Sequence, residues 1–116
     1  MNETKKYESM EEFWPFYLSE HQNLTNRRLH FIGSASALFW IAGAIYKKKP
    51  SLLLLALLNG YGGAWIGHFG FEKNKPASFK QPLKSFICDW RMFAAILTGK
   101  IDQEMEKVET FKQLND

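Results

Sequence analysis

Two long apolar runs dominate the chain and predict its central structure. Residues 29–46 and 51–71, 18 and 21 residues long, contain no Asp, Glu, Lys or Arg, and a Lys-Lys-Lys-Pro turn at 47–50 separates them. As helices they would measure roughly 27 and 31 Å, close to the thickness of a membrane's hydrocarbon core. The pattern favours a hairpin that crosses a membrane twice. Two buried helices of a soluble bundle are the alternative, although 116 residues offer little protein to cover them.

Amphipathic helices are predicted on both sides of this hairpin, at about residues 9–21, 83–98 and 101–114. Ser9 and Glu12 have the spacing of a capping box, while Pro15 predicts a kink or a later start in the first helix. The apolar stripe of the second helix consists of Leu83, Phe86, Ile87, Trp90, Ala94 and Leu97. No alternation typical of strands is visible. We therefore expect residues 1–116 to form one all-α, membrane-embedded domain.

Composition narrows the class of function. The chain has 15 Lys and Arg against 12 Asp and Glu, a net charge of +3, and no basic stripe interleaved with aromatic residues. Nucleic-acid binding is therefore not favoured. The single cysteine, Cys88, excludes an intramolecular disulfide framework and a Cys-rich zinc module, and we interpret it as a structural thiol.

The distribution of basic residues indicates an orientation in the membrane. Three lysines lie in the turn at 47–50, whereas more basic residues flank the other ends of the apolar runs: Arg27, Arg28, Lys73, Lys75, Lys80, Lys84 and Arg91. The positive-inside rule then places both termini in the cytoplasm. We expect an integral protein of the bacterial inner membrane, or of the endoplasmic reticulum if the source is eukaryotic.

Glycines in the second run suggest close helix packing. Gly63 and Gly67 form a small-xxx-small motif, which lets a neighbouring backbone approach closely in a membrane. Such a motif leaves a homodimer open, but it equally accommodates large neighbours such as Trp40 and Trp65 within one chain.

The three histidines of the chain, His21, His30 and His68, are the candidate metal ligands. His21 and His30 are nine residues apart and would lie on opposite faces of one unbroken helix. A break at residues 23–26, where Asn26 can cap the next helix, would let them meet. The hairpin then returns His68 to the same end. Isolated histidines near apolar runs are more often structural, so the convergence is the decisive point.

Glu72 adds a carboxylate one helical turn after His68. Three imidazoles with or without a carboxylate suit Fe²⁺, Zn²⁺ or Cu²⁺ on ligand type alone. Glu72 is thus a candidate fourth ligand or a hydrogen-bond partner of a ligating histidine. An interfacial salt bridge with Lys73, Lys75 or Arg28 is an equally good interpretation.

Several blocks together resemble the 2-hydroxy-fatty-acid dioxygenase family. The blocks are Glu20-His21, Asn26-Arg27-Arg28-Leu29-His30-Phe31-Ile32-Gly33, Gly67-His68-Phe69-Gly70-Phe71-Glu72-Lys73-Asn74-Lys75-Pro76-Ala77, Phe79, Pro82-Leu83, Ser85-Phe86 and Asp89. The likeness covers roughly residues 17–99. The family includes a fungal enzyme that removes one carbon in phytosphingosine breakdown, and small bacterial membrane relatives.

The resemblance implies an integral-membrane, Fe²⁺-dependent dioxygenase that performs α-oxidation of 2-hydroxy long-chain fatty acids. Its essential histidines correspond to His21, His30 and His68. Conversion of R-CHOH-COOH to R-COOH and CO₂ removes four electrons, the number that reduces one O₂ to water, so no nicotinamide or flavin is required. Arg28 or Arg27 could attract the carboxylate of the acid by charge-assisted hydrogen bonds. Ordinary interfacial anchoring is the alternative for these arginines.

Two further residues and two other functions complete the sequence-based interpretation. Asp89 could support a ligand or form a surface pair with Arg91 or Lys84, and Tyr17 could donate a hydrogen bond near the metal. A zinc-dependent membrane lipid hydrolase with Glu72 as its base is one alternative function. A non-catalytic membrane scaffold or lipid-binding protein is the other.

Overall fold

The computed structural model describes residues 7–115, whose regular elements are all helices, with no strand among them. Residues 1–6 and 116 of the predicted domain lie outside the described part. The elements are α1 (Met10–Ser19), α2 (Leu24–Lys47), α3 (Leu52–Trp65), a π-helix (Ile66–Glu72), a 3₁₀ turn (Ala77–Phe79), α4 (Pro82–Leu97) and α5 (Ile101–Asn115). The all-α prediction is confirmed.

The hairpin predicted from the two apolar runs is formed by α2 and by α3 with its π-helical extension. The side-chain oxygen of Asn23 accepts a hydrogen bond from the Asn26 N–H at 3.2 Å, so α2 begins before the apolar run. Its other end is closed by Lys48, which adopts the left-handed conformation at φ 54° and ends the helix. The polar turn thus lies where the lysines predicted it.

Close packing of the hairpin depends on glycines at the crossing. A Cβ atom on Gly63 would lie 2.7 Å from the carbonyl oxygen of Leu29, and one on Gly33 would lie 2.9 Å from that of Asn59. Both gaps are too short for a side chain, so only glycine permits this approach of the two backbones. The Gly63-xxx-Gly67 motif is therefore used within the chain.

A second packing unit covers one end of the hairpin. Helices α1, α4 and α5 enclose a core formed by Tyr7, Phe13, Trp14, Phe16, Tyr17, Leu18, Cys88, Met92, Val108 and Phe111. The Ser9 side chain accepts from the Glu12 N–H and caps α1, as predicted, while the helix continues through Pro15. Pro82 occupies the first turn of α4, where no N–H is needed. The three amphipathic helices are close to their predicted bounds.

The hairpin itself exposes most of its apolar surface. The segments Leu24–Lys47 and Leu52–Glu72 are long and apolar enough to cross a membrane, and only 22% and 17% of their most apolar windows are buried. Large side chains that face outward include Phe39, Ile45, Leu54 and Leu58. A core helix of a soluble protein would be mostly buried, so these helices differ from that class in exposure.

Candidate metal centre

His21, His30 and His68 meet at the end of the hairpin that the second packing unit covers. His21 follows α1, His30 lies in the second turn of α2, and His68 lies in the π-helix. All three are buried, and their nitrogen ligand atoms lie within 4.8 Å of one another. The ring centroids are 4.4 to 4.9 Å apart. The structure thus brings together the three histidines that the sequence singled out.

The break between α1 and α2 is what lets His21 and His30 meet. Asn23 caps α2, and the Arg27 guanidinium donates to the carbonyl oxygens of His21 and Gln22 at 2.8 and 2.9 Å. These bonds satisfy carbonyls at the end of α1 that have no helical partner. The turn is consequently held with the His21 ring directed toward α2.

Each imidazole is oriented by an acceptor on its Nδ1 atom. His21 Nδ1 lies 2.6 Å from the carbonyl oxygen of Tyr17, and His30 Nδ1 lies 3.0 Å from that of Asn26. A carbonyl oxygen can only accept, so both Nδ1 atoms carry the proton and donate. The neutral rings therefore present unprotonated Nε2 atoms to the centre of the cluster.

His68 has the same tautomer, which a longer network selects. Its Nδ1 lies 2.7 Å from Oδ1 of Asn74, whose amide nitrogen donates to the backbone oxygen and to the carboxylate of Glu20 at 3.0 and 2.6 Å. Because the amide nitrogen is committed to Glu20, Oδ1 must be the atom that accepts from His68. Sequence reasoning missed Glu20 and Asn74, since no helical spacing relates Asn74 to His68.

The convergence of three lone pairs is the chemical feature of this cluster. His21 Nε2 and His30 Nε2 lie 3.2 Å apart, yet neither has a proton to donate to the other in the neutral state. Two nitrogens bound to one ion at about 2.1 Å would lie roughly 3.0–3.4 Å apart at octahedral to tetrahedral angles. A cation between the rings would satisfy all three lone pairs. The donor set therefore fits a divalent transition metal.

Electrostatics favour the neutral, ligating form of His21. Burial lowers its pKa well below the ordinary value, and its neighbours His30 and His68 lower it further, while the bond to Tyr17 opposes the shift. Protonation would also place a positive charge where a cation is to bind. An unprotonated His21 at neutral pH is what metal binding requires.

Glu72 lies one helical turn from the cluster and is not among the three grouped ligand atoms. Its Oε1 accepts from the Asn23 N–H at 2.7 Å and from the Asn26 amide at 3.1 Å. Because α2 and the π-helix are antiparallel, His68 meets His30 while Glu72 meets Asn26, the residue one turn earlier. The carboxylate thereby supports the start of α2, whose Asn26 carbonyl orients His30.

Arg28 lines a different cavity from the one that His30 lines. Its side chain is exposed and lines a cavity of about 340 Å³ whose lining includes Phe31 and Ile96 but none of the histidines. Arg27, the alternative, is engaged with the carbonyls at the end of α1. The Arg27 guanidinium therefore lies beside the backbone of His21, where its charge helps to lower the pKa of that ring.

Tyr17 and Asp89 extend the site toward α4. The Tyr17 ring stacks on His21 with centroids 4.1 Å apart, and its hydroxyl donates a very short hydrogen bond to Asp89. Burial raises the pKa of Asp89 to about 6, with the Tyr17 bond opposing the shift. Asp89 and His30 line the same cavity of about 370 Å³. This partly buried contact with Tyr17 favours the supporting role of Asp89 over a surface pair with Arg91 or Lys84.

Comparison with known proteins is consistent with this arrangement. A family model described as "2-hydroxy-palmitic acid dioxygenase Mpo1-like" matches residues 7–101, which include all three histidines and Asn74. Neither the comparison with curated proteins nor that with solved structures returned a match. Since the matched segment covers most of the chain, the protein belongs to the 2-hydroxy-palmitic acid dioxygenase Mpo1-like family.

Proposed function

We propose that the protein is an Fe²⁺-dependent dioxygenase that shortens 2-hydroxy long-chain fatty acids by one carbon. The observation that carries the proposal is the buried cluster of His21, His30 and His68, whose Nδ1 atoms donate to other acceptors and whose ligand atoms lie within 4.8 Å of one another. The family description names a 2-hydroxy acid and a dioxygenase. Three protein ligands would leave positions on the ion for other ligands.

The overall reaction balances without a further redox partner. R-CHOH-COOH and O₂ give R-COOH, CO₂ and H₂O, so the acid loses four electrons and one O₂ gains them. A bound Fe²⁺ would supply the one-electron chemistry that allows O₂ to react with a closed-shell acid. The three histidines would hold the ion.

Other residues of the chain have distinct tasks in this proposal. Asp89, whose Oδ1 accepts from the Tyr17 hydroxyl, lines the cavity beside His30 and would exchange a proton with the hydroxyl of the acid. Glu72 positions Asn26 rather than binding the ion. The role of Arg28 stays a prediction. We assign it to attracting the carboxylate of the acid to this end of the hairpin, and not to holding that carboxylate at the metal.

We further propose that the hairpin spans a membrane with the metal centre near one face. The support is the outward-facing apolar surface of α2 and α3, which lipid would cover. The distribution of basic residues favours termini in the cytoplasm. The homodimer stays a prediction. The glycine motif that suggested it packs against α2 of the same chain.

Metal analysis and turnover of the detergent-purified protein test the function. We expect about one iron per chain after anaerobic loading, and O₂ consumption matched to conversion of 2-hydroxypalmitate to the acid one carbon shorter. His30→Ala and His68→Ala should lose both properties. Full iron binding by these variants, or a wild-type chain that does not bind iron, would overturn the proposal.

The same donor set suits Zn²⁺, so the hydrolase alternative needs its own test. Turnover of an ester or amide lipid without O₂, supported by Zn²⁺ and absent with Fe²⁺, would select it. We disfavour this alternative because Oε1 of Glu72, its proposed base, already accepts two hydrogen bonds.

A further inference from the structure

The cavity beside the metal centre continues as a groove along the hairpin. On α2 it is lined by His30, Ser34, Ala37 and Ile41, which recur at the spacing of one helix face. The eleven helical steps from His30 to Ile41 rise by about 16 Å along the helix axis. The groove therefore leads from the histidine cluster deep into the apolar hairpin.

Small residues keep the groove open along its length. Ala37 and Ala56 are buried in its wall, and a Cβ atom on Gly60 would lie 3.9 Å from that of Ala37. Larger side chains at these positions would fill the space between α2 and α3. The volume of about 370 Å³ is thus set by side-chain size at a few positions.

Chemical character changes along the groove. His30 and Asp89 are the titratable groups beside the metal centre, whereas the far end is lined by Ile41, Leu53 and Ala56. One side is open, because Leu57 and Tyr61 in its lining are each about half exposed. An occupant would need a polar, metal-binding head and a single long apolar tail, and it could enter sideways from lipid.

We propose that this groove holds the acyl chain of the 2-hydroxy acid, with its carboxylate and hydroxyl at the histidine cluster. The inference rests on the proposed function. It adds the place where the acyl chain binds and the feature that limits the length of that acyl chain. Because an extended chain advances about 1.25 Å per carbon, 16 Å accommodates roughly 13 carbons. A long-chain acid would fill the groove and reach the level of Ile41.

Photolabelling tests the location without requiring turnover. Two analogues of 2-hydroxypalmitate, with a diazirine near the carboxylate or near the methyl end, are irradiated with the detergent-purified full chain, and the labelled residues are mapped by mass spectrometry. We expect the first analogue to label the level of Ser34 and the second the level of Ile41 and Leu53. Labelling mainly at outward-facing Leu54 and Leu58, or equal labelling of the groove by a diazirine phospholipid, would overturn the proposal.

Chain-length selectivity provides the second test. Ala37→Leu should shorten the groove, so that the kcat/KM ratio for 2-hydroxypalmitate over a 2-hydroxy acid of eight carbons falls by at least about tenfold. Ala35→Leu is the matched control, since Ala35 is exposed on the same helix and does not line the groove. Its ratio should equal that of the wild-type chain.

Ile41→Trp keeps the test decisive if Ala37→Leu does not fold. Ile41 is partly exposed and lies at the far end, so its replacement should lower activity only toward the longest acids. Unchanged selectivity in both folded variants would overturn the groove assignment. If the wild-type chain is labelled in the groove but does not convert 2-hydroxy acids, the result counts against the proposed function alone and leaves the groove assignment standing.

Discussion

At the scale of single residues, metal binding by the histidine cluster would depend on which nitrogen of each imidazole carries the proton. Backbone oxygens hold Nδ1 of His21 and His30, whereas His68 relies on the side chain of Asn74. A partner of this kind fixes ring orientation and raises the basicity of the ligand. Of the three rings, His68 is therefore the one whose tautomer a side-chain substitution can change.

Asn74→Leu is expected to weaken metal binding by about 10- to 100-fold, because it removes the acceptor from His68 Nδ1. Titration of the metal-free protein with Co²⁺ or Zn²⁺ measures the effect. Asn59→Leu is the matched control, since the Asn59 amide is exposed and donates to the Leu55 carbonyl oxygen within α3. Equal affinities of the two variants would contradict the positioning role of Asn74.

Asp89 gives a prediction for pH. Its pKa in the folded chain is about 6, above the ordinary 3.8, because burial disfavours the charged form. The stability it contributes is thus fully present below about pH 4 and is lost as pH rises through about 6. Relative to Asp89→Asn, the unfolding free energy of the wild-type chain should fall by about 2–3 kcal/mol between those limits. Unfolding in detergent across this range measures the difference, and a constant value would contradict the burial of the carboxylate.

At the scale of elements, the hairpin and the π-helix bring His30 and His68 together. The close crossing at Gly33 and Gly63 sets the register of the two helices, and this register pairs His30 with His68 and Asn26 with Glu72. The π-helix is a rare element that is often found at functional sites. Helix packing and the geometry of the histidine cluster are therefore coupled.

Gly63→Ala is expected to destabilise the folded protein by about 1–3 kcal/mol, because the new Cβ would lie 2.7 Å from the Leu29 carbonyl oxygen. Gly62→Ala is the control on the same helix. Apart from its chain neighbours and the backbone of its own helix, nothing lies within 4 Å of its Cβ position, so the substitution should be neutral or stabilise by up to about 1 kcal/mol. Thermal unfolding of both variants in the same detergent compares them, and similar melting temperatures would contradict the close crossing.

At the scale of the whole molecule, an apolar hairpin carries the histidine cluster at one end, beneath the packing unit of α1, α4 and α5. The turn at residues 47–50 lies at the opposite end of the hairpin. If lipid surrounds the hairpin, the two ends face different sides of the membrane. The orientation then decides from which compartment the site is reached.

Cysteine labelling in intact cells tests this orientation. Lys49→Cys should react with a membrane-impermeant maleimide from outside, whereas Gln113→Cys should react only after the membrane is opened, because the termini are predicted to be cytoplasmic. Both positions are exposed. The native Cys88 is a suitable background, since it is buried and its pKa is raised to about 12. Labelling of both variants from outside would contradict a spanning hairpin.

Much of the fold was predictable because its signals are local in the chain. The uncharged stretches, the lysine turn and the Ser9 cap each depend on neighbouring residues, and the structure has the corresponding helices close to those positions. The meeting of the three histidines also followed from local features, namely a break after α1 and an antiparallel return. The roles expected for Glu72 and Arg28 depended on side-chain direction, which spacing alone does not specify.

The sequence by itself determined an all-helical chain with a hairpin and three imidazoles at one end, and it indicated the family. Tertiary structure decided which nitrogens are protonated, that Glu72 meets Asn26, and that Asp89 joins the cavity beside His30. The physical reason is distance along the chain. Helix formation and apolar runs arise from residues a few positions apart, whereas the hydrogen bond from Tyr17 to Asp89 joins residues 72 positions apart. Such contacts, and the groove between α2 and α3, exist only once the helices have packed.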